Sequence, residues 1–197
     1  MKPHVVAFFI TSLILTSCTS SVTEPYIHFN QKHNVHLEFD YPSSWLLYER
    51  GEFSNIDSIC LDDPRFETLS TPSPPNYHPT PNNYGFICIW ITEVESGHES
   101  ETEVEALKKN YNLEIERLRF TILDSYELII AEQKSSVLEY YDNEPMEGYY
   151  ALMFNRRIFF IVDNQMYQIF FSVAEEERGG EFEQGYEYFL SSLNVTP

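Results

Sequence analysis

Cysteine, glycine and positive charge are all scarce in this chain of 197 residues. It contains 3 cysteines and 7 glycines, and its 12 Lys and Arg residues stand against 31 Asp and Glu residues, which gives a formal net charge of −19. A surface of this charge repels nucleic acid and anionic lipid headgroups, so nucleic-acid binding is not expected. Such a charge permits cationic proteins or divalent ions as partners, although solubility next to a membrane explains it equally simply.

The chain also lacks the short motifs that mark common catalytic sites. It has no glycine-rich phosphate loop and no G-x-S-x-G, C-x-x-C or H-E-x-x-H sequence. No catalytic residue, cofactor or metal ligand is therefore assigned, and the chain is expected not to be an enzyme. A hydrolase whose site is assembled from residues distant in the sequence is a less favoured alternative.

One long apolar run is present, from Val5 to Leu15, directly after the basic residue Lys2. It is too short to span a bilayer, which takes about 20 apolar residues. A basic residue followed by a short apolar run is typical of an export signal. The pattern therefore predicts that the folded part of the chain works outside the cytoplasm.

The apolar run ends in Leu15-Thr16-Ser17-Cys18, which resembles the lipobox of bacterial lipoproteins. The resemblance implies a signal peptide over residues 1–17, cleavage before Cys18 and attachment of acyl chains such as palmitate to Cys18. Two or three acyl chains hold a protein stably at a membrane, whereas one holds it only marginally. Because Thr19 follows Cys18, the resemblance implies the periplasmic side of the outer membrane in a Gram-negative host, and otherwise the outer face of the cell membrane.

The mature chain of about 180 residues is long enough for one domain with a hydrophobic core. Residues 18–31 are expected to form the lipidated cysteine and a polar tether, and residues 32–197 a single domain. Apolar alternation and short apolar runs predict strands at 34–41, 55–61, 84–91, 127–131 and 136–141, and then a hairpin that turns at Asp163-Asn164.

Two helices are predicted by apolar residues at three- and four-residue steps. The first is expected to begin with a capping box formed by Ser100 and Glu103, in preference to a metal site built from the acidic residues and His98 around it. The second follows Gly179-Gly180. Together with the strands, these helices predict an α+β fold in which an antiparallel sheet is flanked by helices.

The order of elements resembles the PsbP-like family. The residues that carry the resemblance open and close the predicted domain: Phe39, Tyr41, Pro42, Trp45, Phe189, Ser192 and Leu193. The resemblance implies an α/β/α sandwich over about residues 34–195, and Trp45 is expected in the core rather than stacked on a ligand. Family members often carry a glycine-containing turn before the hairpins, where this chain has Ala131-Glu132-Gln133-Lys134.

The two remaining cysteines, Cys60 and Cys88, each lie in an apolar triplet that reads as a strand. An exported domain can keep a disulfide, and closing this loop would add about 3–4 kcal/mol in the chain-entropy account. Two buried free thiols fit the sequence equally well. Pairing of the two strands cannot be read from the sequence, so both interpretations stand.

A proline-rich segment over residues 64–83 separates two of the predicted strands. It is interpreted as a variable insertion, or as a docking site for a partner that would use Tyr77. The leading hypothesis is a lipid-anchored, non-enzymatic domain that binds a protein partner at the cell envelope. A module that binds a small ligand, or binds Ca²⁺ with the help of Asp62 and Asp63, is the alternative.

Overall fold

The computed structural model describes residues 22–30, 35–50, 57–63, 85–113, 119–143 and 152–196, and in these ranges the chain forms ten strands and two α-helices. The strands are β1 (Thr23–Asn30), β2 (Val35–Pro42), β3 (Leu46–Arg50), β4 (Asp57–Asp62), β5 (Gly85–Glu93), β6 (Phe120–Ile130), β7 (Gln133–Asp142), β8 (Met153–Val162), β9 (Gln165–Ala174) and β10 (Asn194–Thr196). The helices are α1 (Ser100–Tyr111) and α2 (Glu181–Ser192).

The described strands form two antiparallel sheets. The larger sheet has the order β3-β4-β5-β9-β8-β7-β6, and the smaller has the order β1-β2-β10. Helix α1 packs on β6, β7 and β8, whereas α2 packs between β2 of the small sheet and β9 of the large one. The large sheet thus has α1 on one face and α2 with the small sheet on the other. This arrangement confirms the predicted α+β fold with an antiparallel sheet between helices.

Strand β1 corrects the predicted boundary between tether and domain. Residues 18–31 were expected to be a tether, but β1 pairs with β2 along its whole length, from Thr23 opposite Pro42 to Asn30 opposite Val35. The strand was missed because both of its faces carry apolar side chains, which hides the period-two pattern. It also contains Pro25, which is tolerated here because β1 is an edge strand.

The main core lies between the large sheet and the layer formed by α2 and the small sheet. Strand β5 shows how the sequence builds it, because its buried and half-buried residues alternate along the strand. Ile87, Ile89 and Ile91 face this core and are at most 1% exposed. A second core beneath α1 consists of Val104, Tyr111, Leu138, Tyr140 and Phe159.

Residues from the two ends of the domain meet where α2 crosses β2. The ring centroids of Phe39 and Phe189 are 4.9 Å apart, in an edge-to-face arrangement. The backbone N–H of Asp40 donates a hydrogen bond of 2.9 Å to Oγ of Ser192. Three of the residues on which the PsbP-like resemblance rests, Phe39, Phe189 and Ser192, therefore join β2 to α2, which is a packing role.

Trp45 lies in the core at this junction, as expected, and is 8% exposed. Its ring lies 4.5 Å from that of Phe182, between centroids. A Cβ atom on Gly185 would lie 2.5 Å from Cζ2 of Trp45 and 3.2 Å from Cγ of Pro42. Glycine within α2 lowers helix propensity by about 1 kcal/mol relative to Ala, and here it allows the helix to approach the indole.

Helix α1 has the predicted position but not the predicted cap. Its N-cap residue is Glu99, and no side chain caps the helix. Oγ of Ser100 instead lies 2.9 Å from Oγ of Ser136 on β7, so its hydrogen bond fixes the helix to the sheet. Of the predicted apolar stripe, Val104, Leu107 and Tyr111 pack on the sheet, and the remainder falls outside the described residues.

Two hairpins turn through two residues with positive φ. The predicted turn at Asp163-Asn164 has φ of 47° and 61°, and the turn between β6 and β7 at Ala131-Glu132 has φ of 47° and 63°. Asn tolerates this region of backbone space, whereas Ala and Glu meet a steric cost there. The turn at Ala131-Glu132 thus has a backbone conformation that favours Gly, but neither of its residues is Gly.

We expect Glu132→Gly to raise the free energy of unfolding by about 1 kcal/mol, because Gly adopts positive φ without the Cβ penalty. Asn164→Gly is the matched control and should change the free energy of unfolding by no more than about 0.5 kcal/mol. Urea unfolding followed by circular dichroism measures both changes. Equal effects of the two substitutions would contradict the steric explanation.

Candidate functional surface

Three aromatic residues share the face of the large sheet that lies opposite the main core. Phe86 and Trp90 come from β5, and Phe170 comes from the adjacent strand β9. The ring of Phe170 lies 5.2 Å from that of Phe86 and 5.8 Å from that of Trp90, between centroids. All three side chains are half-buried. We call these three residues, together with Arg157, the aromatic face.

Strand geometry explains why these rings share one side. Successive side chains of a strand point to opposite faces, so Phe86 and Trp90 point away from the core that Ile87 and Ile89 enter. Phe170 lies opposite Cys88, between the two β5 aromatics, because β5 and β9 pair in antiparallel register. Helix α1 packs on β6, β7 and β8 of this same face, to one side of the three rings.

Arg157 lies next to the rings and gives the aromatic face one positive charge. Its guanidinium carbon is 4.5 Å from the ring centroid of Phe170, within the distance at which a cation is attracted to an aromatic ring. Its Nε donates a hydrogen bond of 3.1 Å to Oη of Tyr140 beneath α1. Arg157 therefore joins the aromatic face to the core under α1.

The preceding residue, Arg156, points to the opposite face and forms ion pairs there. Its guanidinium contacts Glu139 at 2.8 Å and Glu187 at 2.7 Å. Tyr126 donates a hydrogen bond of 2.9 Å to Glu139, and burial together with that hydrogen bond raises the pKa of Tyr126 to about 12. This cluster joins β6, β7 and β8 to α2, which is a structural role.

Cys60 and Cys88 lie opposite each other on β4 and β5. Their Sγ atoms are bonded, with an S–S distance of 2.13 Å. Cys88 stands between Phe86 and Trp90 on β5, so the bond is part of the surface that carries the rings. A sequence separation of 28 residues corresponds to a stabilisation of about 3–4 kcal/mol in the chain-entropy account.

Two of the predicted site residues, Cys18 and Tyr77, lie outside the described residues, as does the proline-rich segment 64–83. The described chain stops at Asp63 before this segment and resumes at Gly85 after it. The backbone N–H of Asp63 donates a hydrogen bond of 3.0 Å to the carbonyl of Gly85, and Asp62 pairs with Phe86. Asp63 and Gly85 therefore lie together in the large sheet, next to Phe86 of the aromatic face.

Asp62 and Asp63 are buried, with 6% and 2% of their surface exposed. Burial, and secondarily the charge of Asp63, raises the pKa of Asp62 to about 6. Within the described ranges, no three His, Cys, Asp or Glu residues form a group that could hold a metal ion.

His98 and Glu103, which belong to the acidic segment where a metal site was disfavoured, contact each other. Nε2 of His98 lies 2.8 Å from Oε1 of Glu103. The imidazole thus pairs with a carboxylate of the first turn of α1.

Among the described helices, neither is long and apolar enough to cross a bilayer.

Sequence reasoning identified the β5 strand but assigned no surface role to Phe86, Trp90, Phe170 or Arg157. The sequence did contain a signal for this surface. Strand β5 is apolar at nearly every position, which indicates that both of its faces are buried or contact other apolar groups. The position of Phe170 opposite Cys88 depends on which distant strand pairs with β5. That pairing is not encoded in the local sequence.

Comparison by sequence finds no protein family and no curated protein that matches this chain. Comparison of folds finds similar structures. LpqN, described as involved in cell envelope biogenesis of Mycobacterium tuberculosis, has a TM-score of 0.59 and 11% identity, over 89% of this chain and 92% of that one. Cyanobacterial PsbP (CyanoP) from Synechocystis sp. PCC 6803 has a TM-score of 0.54 and 15% identity, over 92% of this chain and 99% of that one. The domain has a PsbP-like fold.

The raised pKa of Asp62 predicts how stability depends on pH. The folded state binds the proton of the Asp62 carboxyl more tightly than the unfolded chain does. The contribution of Asp62 to the free energy of unfolding is therefore most favourable below about pH 4 and is lost as pH rises through about 6. We expect Asp62→Asn to raise the free energy of unfolding at pH 8 by about 1–2 kcal/mol, less than full linkage because solvent screens part of the effect. The gain should shrink at pH 4.5.

Urea unfolding at the two pH values measures this difference. Glu95→Gln, at an exposed position, is the control and should leave the pH profile unchanged. A gain from Asp62→Asn of the same size at both pH values would contradict burial of a charged carboxylate as the cause.

Proposed function

We propose that this chain is a lipid-anchored, extracytoplasmic protein that binds a protein partner at the cell envelope through the aromatic face. The observation that carries the proposal is the set of half-buried rings of Phe86, Trp90 and Phe170 with Arg157 over one of them. The proposed role is non-enzymatic binding or assembly.

The chemistry of the aromatic face is that of a protein-binding surface. Trp and Arg are enriched among the residues that dominate binding energy at protein interfaces, and aromatic residues are enriched in the interface as a whole. The rings lie on a regular sheet braced by the Cys60–Cys88 bond, so little conformational entropy would be lost when a partner covers them. Such a surface suits recognition of another folded protein.

Charge favours a cationic surface on the partner. The formal net charge of −19 would steer a basic protein towards the domain and raise its association rate at low salt. Tyr77 and the proline-rich segment 64–83 are proposed as a second part of the contact, because Asp63 and Gly85, between which the segment lies in the sequence, are next to Phe86.

The envelope location rests on two independent supports. The lipobox-like Leu15-Thr16-Ser17-Cys18 supports acylation of Cys18, and the fold is shared with LpqN, which is described as involved in cell envelope biogenesis. A shared fold does not transfer a function by itself. The proposed position is the periplasmic side of the outer membrane in a Gram-negative host, or otherwise the outer face of the cell membrane.

The anchor is tested by labelling cells that express the full chain with radioactive palmitate. We expect the label on a mature protein that begins at Cys18 and sediments with membranes. Cys18→Ser should abolish labelling and leave residues 1–17 attached, because the acceptor sulfur is lost. Labelling that survives Cys18→Ser would contradict the assignment.

The partner surface is tested by cross-linking in intact cells, followed by mass spectrometry of the proteins joined to the chain. Trp90→Ala should reduce the cross-linked partner about 30-fold, the loss expected when a side chain worth about 2 kcal/mol is removed from an interface. Leu123→Ala is the matched control, since Leu123 is an exposed apolar residue on the edge strand β6, and it should not reduce capture.

The same cross-linking experiment on a variant with a shortened segment 64–83 tests the contribution of that segment separately from that of the aromatic face. Thermal unfolding of each purified variant shows whether it folds. If Trp90→Ala folds and captures the same partner as fully as Leu123→Ala does, the aromatic face is not the binding surface. Unchanged capture after shortening of the segment would remove Tyr77 from the proposal.

A further inference from the structure

Three exposed apolar side chains lie in and just before β1. Val22 is 72% exposed, Ile27 is 59% exposed and Phe29 is 56% exposed. We propose that the side of β1 that carries Ile27 and Phe29, the β1 patch, lies against the phospholipid surface into which Cys18 is anchored. The inference rests on the proposed acylation of Cys18 and adds to it a direct contact between the folded domain and the lipid.

Local packing sets the direction of the β1 patch. Tyr26 points inward, with its ring 5.0 Å from that of Phe39 between centroids, and its hydroxyl donates a hydrogen bond to Glu49. Since side chains alternate along a strand, Ile27 and Phe29 point outward. They therefore cannot join the core without a shift of register, which would expose Tyr26.

The length of chain before β1 brings the patch to the membrane. From Cys18 to Thr23 the chain spans about 17 Å at most when fully extended. A strand held so close to the lipid has an effective concentration at the surface in the millimolar range, so a weak affinity of the patch is sufficient to keep it there. Apart from Val22, no other exposed apolar residue of the described chain lies so near Cys18 in the sequence.

The charges around the patch select the kind of lipid surface. In the pairing of β1 with β2, Ile27 lies opposite Glu38, and Phe29 lies opposite His36. The carboxylate of Glu38 beside the patch opposes an anionic surface, whereas aliphatic and aromatic side chains enter the interface of a neutral bilayer. The proposed surface is therefore that of a zwitterionic phospholipid such as phosphatidylcholine or phosphatidylethanolamine.

The two faces of the domain then have separate contacts. The small sheet, which contains β1, lies on the core side of the large sheet together with α2. Phe86, Trp90 and Phe170 lie on the opposite side. Contact of β1 with lipid would thus leave the aromatic face accessible.

A nitroxide label tests the inference in the full lipidated protein, reconstituted into phosphatidylcholine vesicles. Ile27→Cys supplies a free thiol for labelling, because Cys18 is acylated and Cys60 is bonded to Cys88. We expect relaxation of the label by oxygen, which dissolves in the acyl region, to exceed relaxation by a water-soluble nickel chelate about threefold. Adding Phe29→Glu should reverse this ratio.

Ile129→Cys is the matched control, because Ile129 is 70% exposed on β6, at the far edge of the large sheet. Its label should favour the nickel chelate. If the label at position 27 behaves like that at position 129 while palmitate is present on Cys18, the inference is wrong and the anchor stands. Spin–spin broadening at position 27 would show a second copy on β1 and overturn the inference, and absence of palmitate would overturn both proposals.

Discussion

The fold depends on how closely α2 approaches the turn between β2 and β3. Gly185 allows the helix to lie directly on the indole of Trp45, where any larger residue would meet Cζ2 at 2.5 Å. Trp45 in turn contacts Phe182 one turn earlier in the helix. Because α2 fills the space between the small sheet and the large one, this distance fixes the thickness of the main core.

That dependence makes the two ends of the domain inseparable. Phe189 reaches back to Phe39, and Tyr186 lies 4.2 Å from Phe171 on β9, between ring centroids. Helix α2 therefore completes a core whose other walls come from β2 of the small sheet and β9 of the large sheet. Helix α2 and the small sheet thus cover one side of the large sheet. The other side carries α1 and the aromatic face.

Local pattern predicted the parts of this structure that local physics determines. Period-two alternation identified β2, a short apolar run identified β5, and the three- and four-residue steps identified both helices, because each pattern reflects how one element meets its surroundings. Strand β1 was missed, since Tyr26 and Ile27 are apolar on opposite faces. The disulfide was left open, because pairing of Cys60 with Cys88 depends on the partner strand of each. The aromatic face was missed for the same reason.

The two proposed contacts lie on opposite sides of an acidic domain, and each would need its own kind of surface. Phe170 and its neighbouring rings are braced by Arg157 and lie on a paired, inner part of the large sheet. Ile27 and Phe29 lie on an edge strand beside Glu38, where a second chain could add a strand. A lipid surface over β1 would cover that edge and leave the domain a single rigid surface for a protein. The short chain between Cys18 and β1 is what makes such an orientation stable, because a longer one would let the domain rotate freely at the membrane.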